Sequence, residues 1–136
     1  MNKIELGDYE KFVNSTVSPA SSNFDALIER LRGLDSNGYK VKIPELITAQ
    51  AGLAAETGEF GEVVKKILFQ GKPLTEENIF HMKRELGDIC WYLAVACAAL
   101  GTSLEEILLM NVEKLSARYP AGFEIIKSEV RVEGDV

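Results

Sequence analysis

The apolar residues of this 136-residue chain recur at helical spacing along most of its length, and glycine and proline cluster between the periodic segments. No stretch before residue 121 alternates apolar and polar side chains in a way that could support a sheet. A chain of this length with 46% hydrophobic residues can bury a core without disulfides. We therefore expect one all-α domain over residues 1–136, built as a bundle of about five helices.

Capping residues indicate where the predicted helices begin. Ser22 or Asn23, Thr75 and Ser103 precede periodic segments, and their side-chain oxygens can accept a backbone N–H at a helix start. Ser103 and Glu106, three residues apart, are predicted to form a capping box. Pro44 suits the first turn of the longest helix. The predicted helices cover about residues 8–13, 24–35, 44–69, 76–100 and 104–119, and residues 121–136 are predicted to form a C-terminal tail with at most a short strand over 129–134.

Charge and hydropathy argue against several classes of partner. The 21 acidic and 15 basic side chains give a formal charge of −6, which disfavours a nucleic-acid polymer or an anionic membrane. The longest uncharged apolar run, residues 89–100, is shorter than the roughly 20 residues that span a bilayer, and the amino terminus has no signal-peptide pattern. Cys90 and Cys97 share one predicted helix, cannot bridge there, and are expected to be buried and reduced. We expect a cytoplasmic protein.

Four carboxylates stand out by their position on the two longest predicted helices. Glu56 falls inside the apolar stripe of the third helix and Glu59 lies at its margin, whereas Glu62 points to solvent. Glu85 and Asp88 flank the stripe of the fourth helix, which is apolar on every face beyond Asp88. Acidic residues three apart usually form a solvated face, but carboxylates beside an apolar segment are costly unless they are paired. Antiparallel packing would bring the four together, and a cation would offset their repulsion.

The type of ligand indicates which cation this site would take. Carboxylates without a nearby histidine or thiolate favour Mg²⁺, with Mn²⁺ able to substitute, over zinc, copper or iron. The single histidine, His81, excludes zinc sites that need several histidines and disfavours a di-iron oxidoreductase bundle. His81 itself is either a surface residue or one that faces a ligand. The chain also lacks the glycine-rich motif of a P-loop.

A ridge on the fifth predicted helix could face an anion. Asn111, Lys114 and Arg118 follow one another at i, i+3 and i+7. The same spacing is also typical of ordinary polar surface near a helix C-terminus. Spacing alone leaves both interpretations open.

The chain resembles the MazG-like, all-α nucleoside triphosphate pyrophosphohydrolases, which include dimeric dUTPase and dCTP pyrophosphatase relatives. The resemblance rests on E-x-x-E followed by E-x-x-D and covers about residues 46–123. The matching segments are LAAETGEFGEVVKK (53–66), ELGDICWYLA (85–94) and SLEEILLMNVEKLSARYPAGF (103–123).

The resemblance implies Mg²⁺-dependent hydrolysis of a nucleoside triphosphate, preferably a deoxynucleotide, to the monophosphate and pyrophosphate. It implies a bacterial cell or a phage-infected host cell as the place of action. The implied Mg²⁺ ligands are Glu56, Glu59, Glu85 and Asp88. The implied substrate contacts are Asn111, Lys114, Arg118 and Tyr119 for the phosphates, Tyr92 for the sugar, and Lys65 or Lys66 for added positive charge.

One position departs from the family pattern. Many relatives carry Glu-Glu-x-x-Glu, but Ala55 stands at the first of these positions, so a general-base role of that glutamate cannot transfer. Glu56 or Glu59, or a metal-bound hydroxide with no dedicated base, must then activate the water. We favour one of the two glutamates.

The apolar surface of the fourth helix is more than one chain of this size readily covers, so we expect a homodimer or homotetramer that completes the core. The resemblance favours the same assembly. The alternative function is a non-catalytic helical module of the same fold that binds a nucleotide or another protein. Within the enzyme class, a diphosphate, an oxidised nucleotide or a guanosine alarmone remains open as the substrate.

Overall fold

The computed structural model describes residues 5–36 and 38–129, and within those ranges the chain is all-α, with no strand. The predicted fold class is confirmed. The five predicted helices correspond to the five longest observed ones. The helices are α1 (Leu6–Thr16), α2 (Pro19–Ser22), α3 (Phe24–Asp35), α4 (Ile43–Phe69), α5 (Glu76–Leu100), α6 (Leu104–Arg118) and α7 (Ile125–Glu129).

The two shortest helices, α2 and α7, were not predicted. Pro19 starts α2 at a position where its missing N–H removes no helical hydrogen bond. The α7 helix lies in the predicted C-terminal tail, and its five residues are too few for a helical period to show in the sequence. The strand predicted over residues 129–134 lies outside the described residues, except for Glu129, which ends α7.

Contacts divide the chain into two compact units, residues 1–39 and 40–136, and the single domain stays a prediction. In the first unit α2 packs against α3. Of the two predicted caps, Ser22 and Asn23, the structure uses Asn23, whose Oδ1 accepts the N–H of Ala26 at 2.9 Å. An open groove in this unit contains none of the predicted site residues. It is lined by Ser18, Pro19, Ala20, Ala26, Glu29, Arg30 and Gly33.

In the second unit α4 and α5 pack against each other in opposite directions. The N–H of Lys42, just before α4, donates to the carbonyl of Ala99, near the end of α5, at 2.9 Å. Farther along the pair, Gly52 lies directly against Tyr92. The buried apolar side chains among the described residues all belong to these two helices: Ala49, Val63, Cys97 and Ala99. This pairing determines which carboxylates meet.

Glycine follows the end of each long helix. Gly71 and Gly101 both have φ of 71°, in the left-handed region that glycine enters without strain. After Gly101 the chain bends by 94° into α6. Ser103 caps α6 as predicted, because its Oγ accepts the N–H of Glu106 at 3.1 Å. The Glu106 carboxylate, which was expected to complete a capping box with Ser103, accepts a hydrogen bond from the Thr102 hydroxyl instead. Because of the 94° bend after Gly101, α6 runs nearly perpendicular to α5.

Much of the apolar surface of α5 is exposed within one chain. Trp91 is 59% and Leu100 is 51% exposed, although the sequence predicts protein on every side of this segment. Cys97 is buried as predicted, whereas the prediction for Cys90 is wrong. Cys90 is exposed because it lies on the side of α5 that faces away from α4.

Taken singly, no helix in the described residues is long and apolar enough to cross a membrane. The bent pair of α5 and α6 meets the criteria of length and composition for a broken span.

Candidate metal centre

Three carboxylates meet where α4 and α5 face each other. Glu56 and Glu59 are three residues apart on α4, so they lie on neighbouring parts of one face. Glu85 approaches them from α5. One carboxylate oxygen from each residue can be chosen so that all three lie within 4.8 Å of one another. The antiparallel pairing therefore brings together groups that are distant in the chain, since Glu56 and Glu85 are 29 residues apart.

Burial differs among these three groups. Glu85 is buried, with 7% of its surface exposed, and it is the only buried charged side chain in the described part of the chain. Glu56 is half-buried and Glu59 is exposed. The cluster is thus closed on the side of Glu85 and open to solvent on the side of Glu59.

The crowding of negative charges in the cluster affects the pKa of Glu56. Its pKa is raised above the usual value, first by desolvation and then by the negative charges of Glu59 and Asp88, with a further contribution from a hydrogen bond and repulsion involving Glu85. A carboxyl group that retains its proton in the absence of metal relieves part of this repulsion. A divalent cation would remove the need for the proton, because it neutralises the same charges.

Asp88 lies one turn beyond Glu85 on α5 and is exposed. It is not one of the three residues whose oxygens converge, but its charge acts on Glu56. The structure thus places Asp88 at the edge of the cluster, near enough to influence it electrostatically.

The donor atoms suit a hard divalent cation. Octahedral Mg²⁺ holds its ligand oxygens at about 2.1 Å, which places opposite ligands roughly 4.2 Å apart. The separations of up to 4.8 Å in the cluster exceed this value by little. Three carboxylates with no sulfur and no nitrogen in the set match Mg²⁺ or Mn²⁺.

His81, which by sequence is either a surface residue or one that faces a ligand, contacts the buried carboxylate of the cluster. Its Nε2 lies 2.9 Å from Oε1 of Glu85, one helical turn farther along α5. His81 is itself exposed. The i, i+4 spacing of a histidine and a carboxylate on one helix was the available signal, since such residues are neighbours on the helix surface.

Tyr92 is held against α4 by the absence of a side chain at Gly52. A Cβ placed on Gly52 would overlap the Tyr92 ring. The ring also contacts Trp91 edge to face, with centroids 4.8 Å apart. Tyr92 therefore lies on the same side of α5 as Glu85, two helical turns along from it.

The two lysines of α4 differ in their surroundings. Lys66 forms an ion pair with Glu62, with Nζ and Oε1 2.8 Å apart. This pair lowers the pKa of Glu62, which is exposed as predicted. Lys65 is nine residues beyond Glu56, which is half a turn around the helix axis. It is exposed on the side away from the carboxylates.

The polar ridge of α6 is remote from the cluster of the same chain. From Asp88 to the end of α5 is roughly 18 Å, and from the start of α6 to Lys114 is about 15 Å. Because α6 bends away from α5 by 94°, Lys114 lies roughly 20 Å or more from Asp88. Asn111 and Arg118 lie on the same ridge. Arg118 stacks near Tyr119, with Cζ 5.9 Å from the ring centroid.

The sequence matches a family model, the MazG nucleotide pyrophosphohydrolase domain, over residues 45–123. This range is more than half of the 136 residues and contains all four predicted metal ligands. The chain belongs to the MazG family. The family acts on nucleoside triphosphates and is generally dependent on divalent metals, and the acidic cluster of this MazG domain agrees with that requirement.

One similar protein comes from a phage. Over 72 residues the chain is 38% identical to the "Gene 37 protein" of Mycobacterium phage L5, and the alignment covers 52% of this chain and 63% of that protein. The chain thus spans less than two thirds of the length of this relative. No solved structure gives a significant match.

Proposed function

We propose that this MazG domain is a Mg²⁺-dependent hydrolase that cleaves a nucleoside triphosphate, preferably a deoxynucleotide, to the monophosphate and pyrophosphate. The observation that supports it is the convergence of Glu56, Glu59 and Glu85 on facing helices, inside the segment that matches the MazG family. Three carboxylates this close together repel one another, and a divalent cation bound between them and a triphosphate would neutralise their charge.

In this proposal Glu56, Glu59, Glu85 and Asp88 hold the metal. Bound Mg²⁺ supplies positive charge to the phosphates and makes a water more acidic. Glu56 and Glu59 are the candidates for taking the proton of the attacking water, because Ala55 offers no carboxylate. The remaining contribution of the protein is positioning, since phosphoryl transfer asks for little covalent chemistry.

The phosphate contacts proposed for Asn111, Lys114 and Arg118 require a second copy of the chain. The ridge lies roughly 20 Å from the carboxylates of its own chain, which exceeds the reach of a lysine or arginine side chain. The exposed apolar side chains of α6 support such an assembly, since Leu108 is 56% and Val112 is 60% exposed. We therefore include a homodimer or homotetramer in the proposal, with Lys114 acting in the site of the neighbouring copy.

The reaction is tested by incubating the purified protein with each NTP and dNTP in the presence of Mg²⁺ and by assaying pyrophosphate and orthophosphate separately. We expect equimolar monophosphate and pyrophosphate. Orthophosphate release would place the cut at the γ-phosphate and contradict the assignment. Nucleotide binding without any turnover would favour a non-catalytic module.

The site is tested with substitutions that preserve shape. Glu59→Gln and Asp88→Asn should abolish turnover while the far-UV circular dichroism remains that of the wild type. Both should also raise the stability of the metal-free protein, because each removes a charge from a repulsive cluster. Glu62→Gln is the matched control on the same helix, and it should retain activity because Glu62 is exposed and is not one of the converging carboxylates. Equal loss in the control would remove the cluster from the reaction.

The second copy is tested independently of the substrate. Light scattering should give a mass of at least twice the 15.0 kDa of one chain. Mixing equal amounts of Glu59→Gln and Lys114→Ala protein, each inactive alone, should restore up to about a quarter of the activity, because about half of the dimers are mixed and each mixed dimer has one intact site of two. A monomer, or no recovery after verified subunit exchange, would contradict this part and leave the reaction itself standing.

A further inference from the structure

The most buried carboxylate of the cluster has a partner outside the cluster. Glu85 Oε1 lies 2.9 Å from Nε2 of His81, and the carboxylate itself is 9% exposed whereas the imidazole is 49% exposed. An ionised carboxylate only accepts hydrogen bonds, so this contact is attractive when Nε2 carries a hydrogen. The contact lies within α5 and does not depend on how α4 approaches.

We propose that His81 is a positioning residue that holds the Glu85 carboxylate in the orientation in which it binds the divalent cation. This inference rests on the proposed metal-dependent function. In this role His81 does not touch the substrate. It acts through Glu85, by fixing one oxygen and leaving the remaining acceptor sites of the carboxylate to the metal.

The competing interaction is visible in the cluster itself. Carboxylate oxygens of Glu56 and Glu85 lie within 4.8 Å of each other, so a proton held by one carboxyl group in the absence of metal can be shared with the other. A Glu85 side chain that is free to rotate could turn toward Glu56, share a hydrogen bond with it and close the space between the helices. A hydrogen bond from His81 to Oε1 limits this rotation. Outer hydrogen bonds of this kind typically change metal affinity roughly 10- to 100-fold.

A direct role of His81 as a metal ligand is less consistent with the geometry. The ring nitrogen that approaches the cluster faces Oε1 of Glu85 at 2.9 Å, and a nitrogen that donates a hydrogen there has no lone pair to offer a metal. Magnesium also prefers oxygen ligands to imidazole. Glutamine can replace the histidine in a positioning role, because its amide nitrogen reaches about as far along the side chain as Nε2 and donates in the same way.

The proposal is tested by titrating Mn²⁺ into the full chain at one fixed pH and measuring the free ion by electron paramagnetic resonance. We expect His81→Ala to weaken Mn²⁺ binding roughly 10- to 100-fold, and His81→Gln to recover most of the loss. Turnover of His81→Ala should approach that of the wild type at saturating metal. Lys83→Ala is the matched control, since Lys83 is an exposed residue on the opposite side of α5, and it should leave binding unchanged.

A second measurement leaves His81 in place. His81 is the only histidine of the chain, so the ring nitrogens give one set of signals in a ¹⁵N NMR spectrum. We expect the hydrogen on Nε2, and a change in the Nε2 signal when Glu85 is replaced by glutamine.

The outcomes separate the two proposals. Wild-type affinity in His81→Ala, equal loss in His81→Ala and His81→Gln, or a hydrogen on Nδ1 alone would each overturn the positioning role while the metal site stands. Failure of the wild-type protein to bind Mn²⁺ would overturn the proposed function, and this inference with it.

Discussion

Replacing Gly52 by alanine tests the pairing of α4 with α5 that the whole site requires. Gly52 is buried, and a Cβ there would overlap the Tyr92 ring at several atoms. The ring must therefore move or the helices must separate, and overpacking of this kind costs about 1 to 3 kcal/mol. Alanine also favours the helix over glycine by about 1 kcal/mol. The net expectation for Gly52→Ala lies between no change and about 2 kcal/mol of destabilisation.

Gly61→Ala supplies the matched control on the same helix. Gly61 is exposed, and nothing lies within 4 Å of the position of an added Cβ. This variant should be more stable than the wild type by about 1 kcal/mol, because only the helix preference changes. The difference between the two variants, about 1 to 3 kcal/mol, then isolates the clash with Tyr92.

Urea unfolding followed by circular dichroism measures both variants at one protein concentration. In thermal unfolding, each kcal/mol corresponds to roughly 3 to 5 °C for a chain of this size. Equal stabilisation by the two substitutions would refute the close approach of Tyr92 to α4. The positions assigned to the carboxylates would then lose their basis, because they depend on the same pairing.

Three further predictions concern the acidic cluster, the start of α6 and the cysteines. Because the folded pKa of Glu56 is raised above its ordinary value of 4.5, the folded metal-free protein binds this proton more tightly than the unfolded chain. Its stability should fall as the pH rises through that pKa, and Mg²⁺ should raise the melting temperature more at about pH 8 than at about pH 5. Ser103→Ala removes the cap of α6 and should lower the free energy of unfolding by about 1 kcal/mol in urea titrations, whereas no loss would mean that the cap contributes nothing. A thiol reagent should modify Cys90 in the native protein and Cys97 only on unfolding, and equal rates would contradict their different burial.

The helices of this protein were predictable because local interactions determine them. Asn23, Thr75 and Ser103 each accept the predicted N–H bond at the start of a helix. Helical periodicity also predicted that the two longest helices each carry a pair of acidic residues beside the apolar stripe. The contact of His81 with Glu85 is local too, and the i, i+4 spacing could have predicted it.

Contacts between helices could not be read from the sequence. Both cysteines lie in one apolar segment, yet only Cys97 is buried, because the packing against α4 covers one side of α5. The sequence gives no indication that Gly52 accommodates Tyr92, since the two residues are 40 positions apart. The distance between the α6 ridge and the carboxylates likewise depends on the 94° bend after Gly101.

The sequence by itself therefore determined the helices, their caps and the type of cation that the acidic residues favour, since each depends on neighbouring residues or on ligand chemistry. Only the tertiary structure decided that Glu56, Glu59 and Glu85 converge while Asp88 stays at the edge and the α6 ridge lies apart. The physical reason is that a helix fixes the direction of its own side chains, whereas the relative placement of two helices depends on how closely their surfaces can pack.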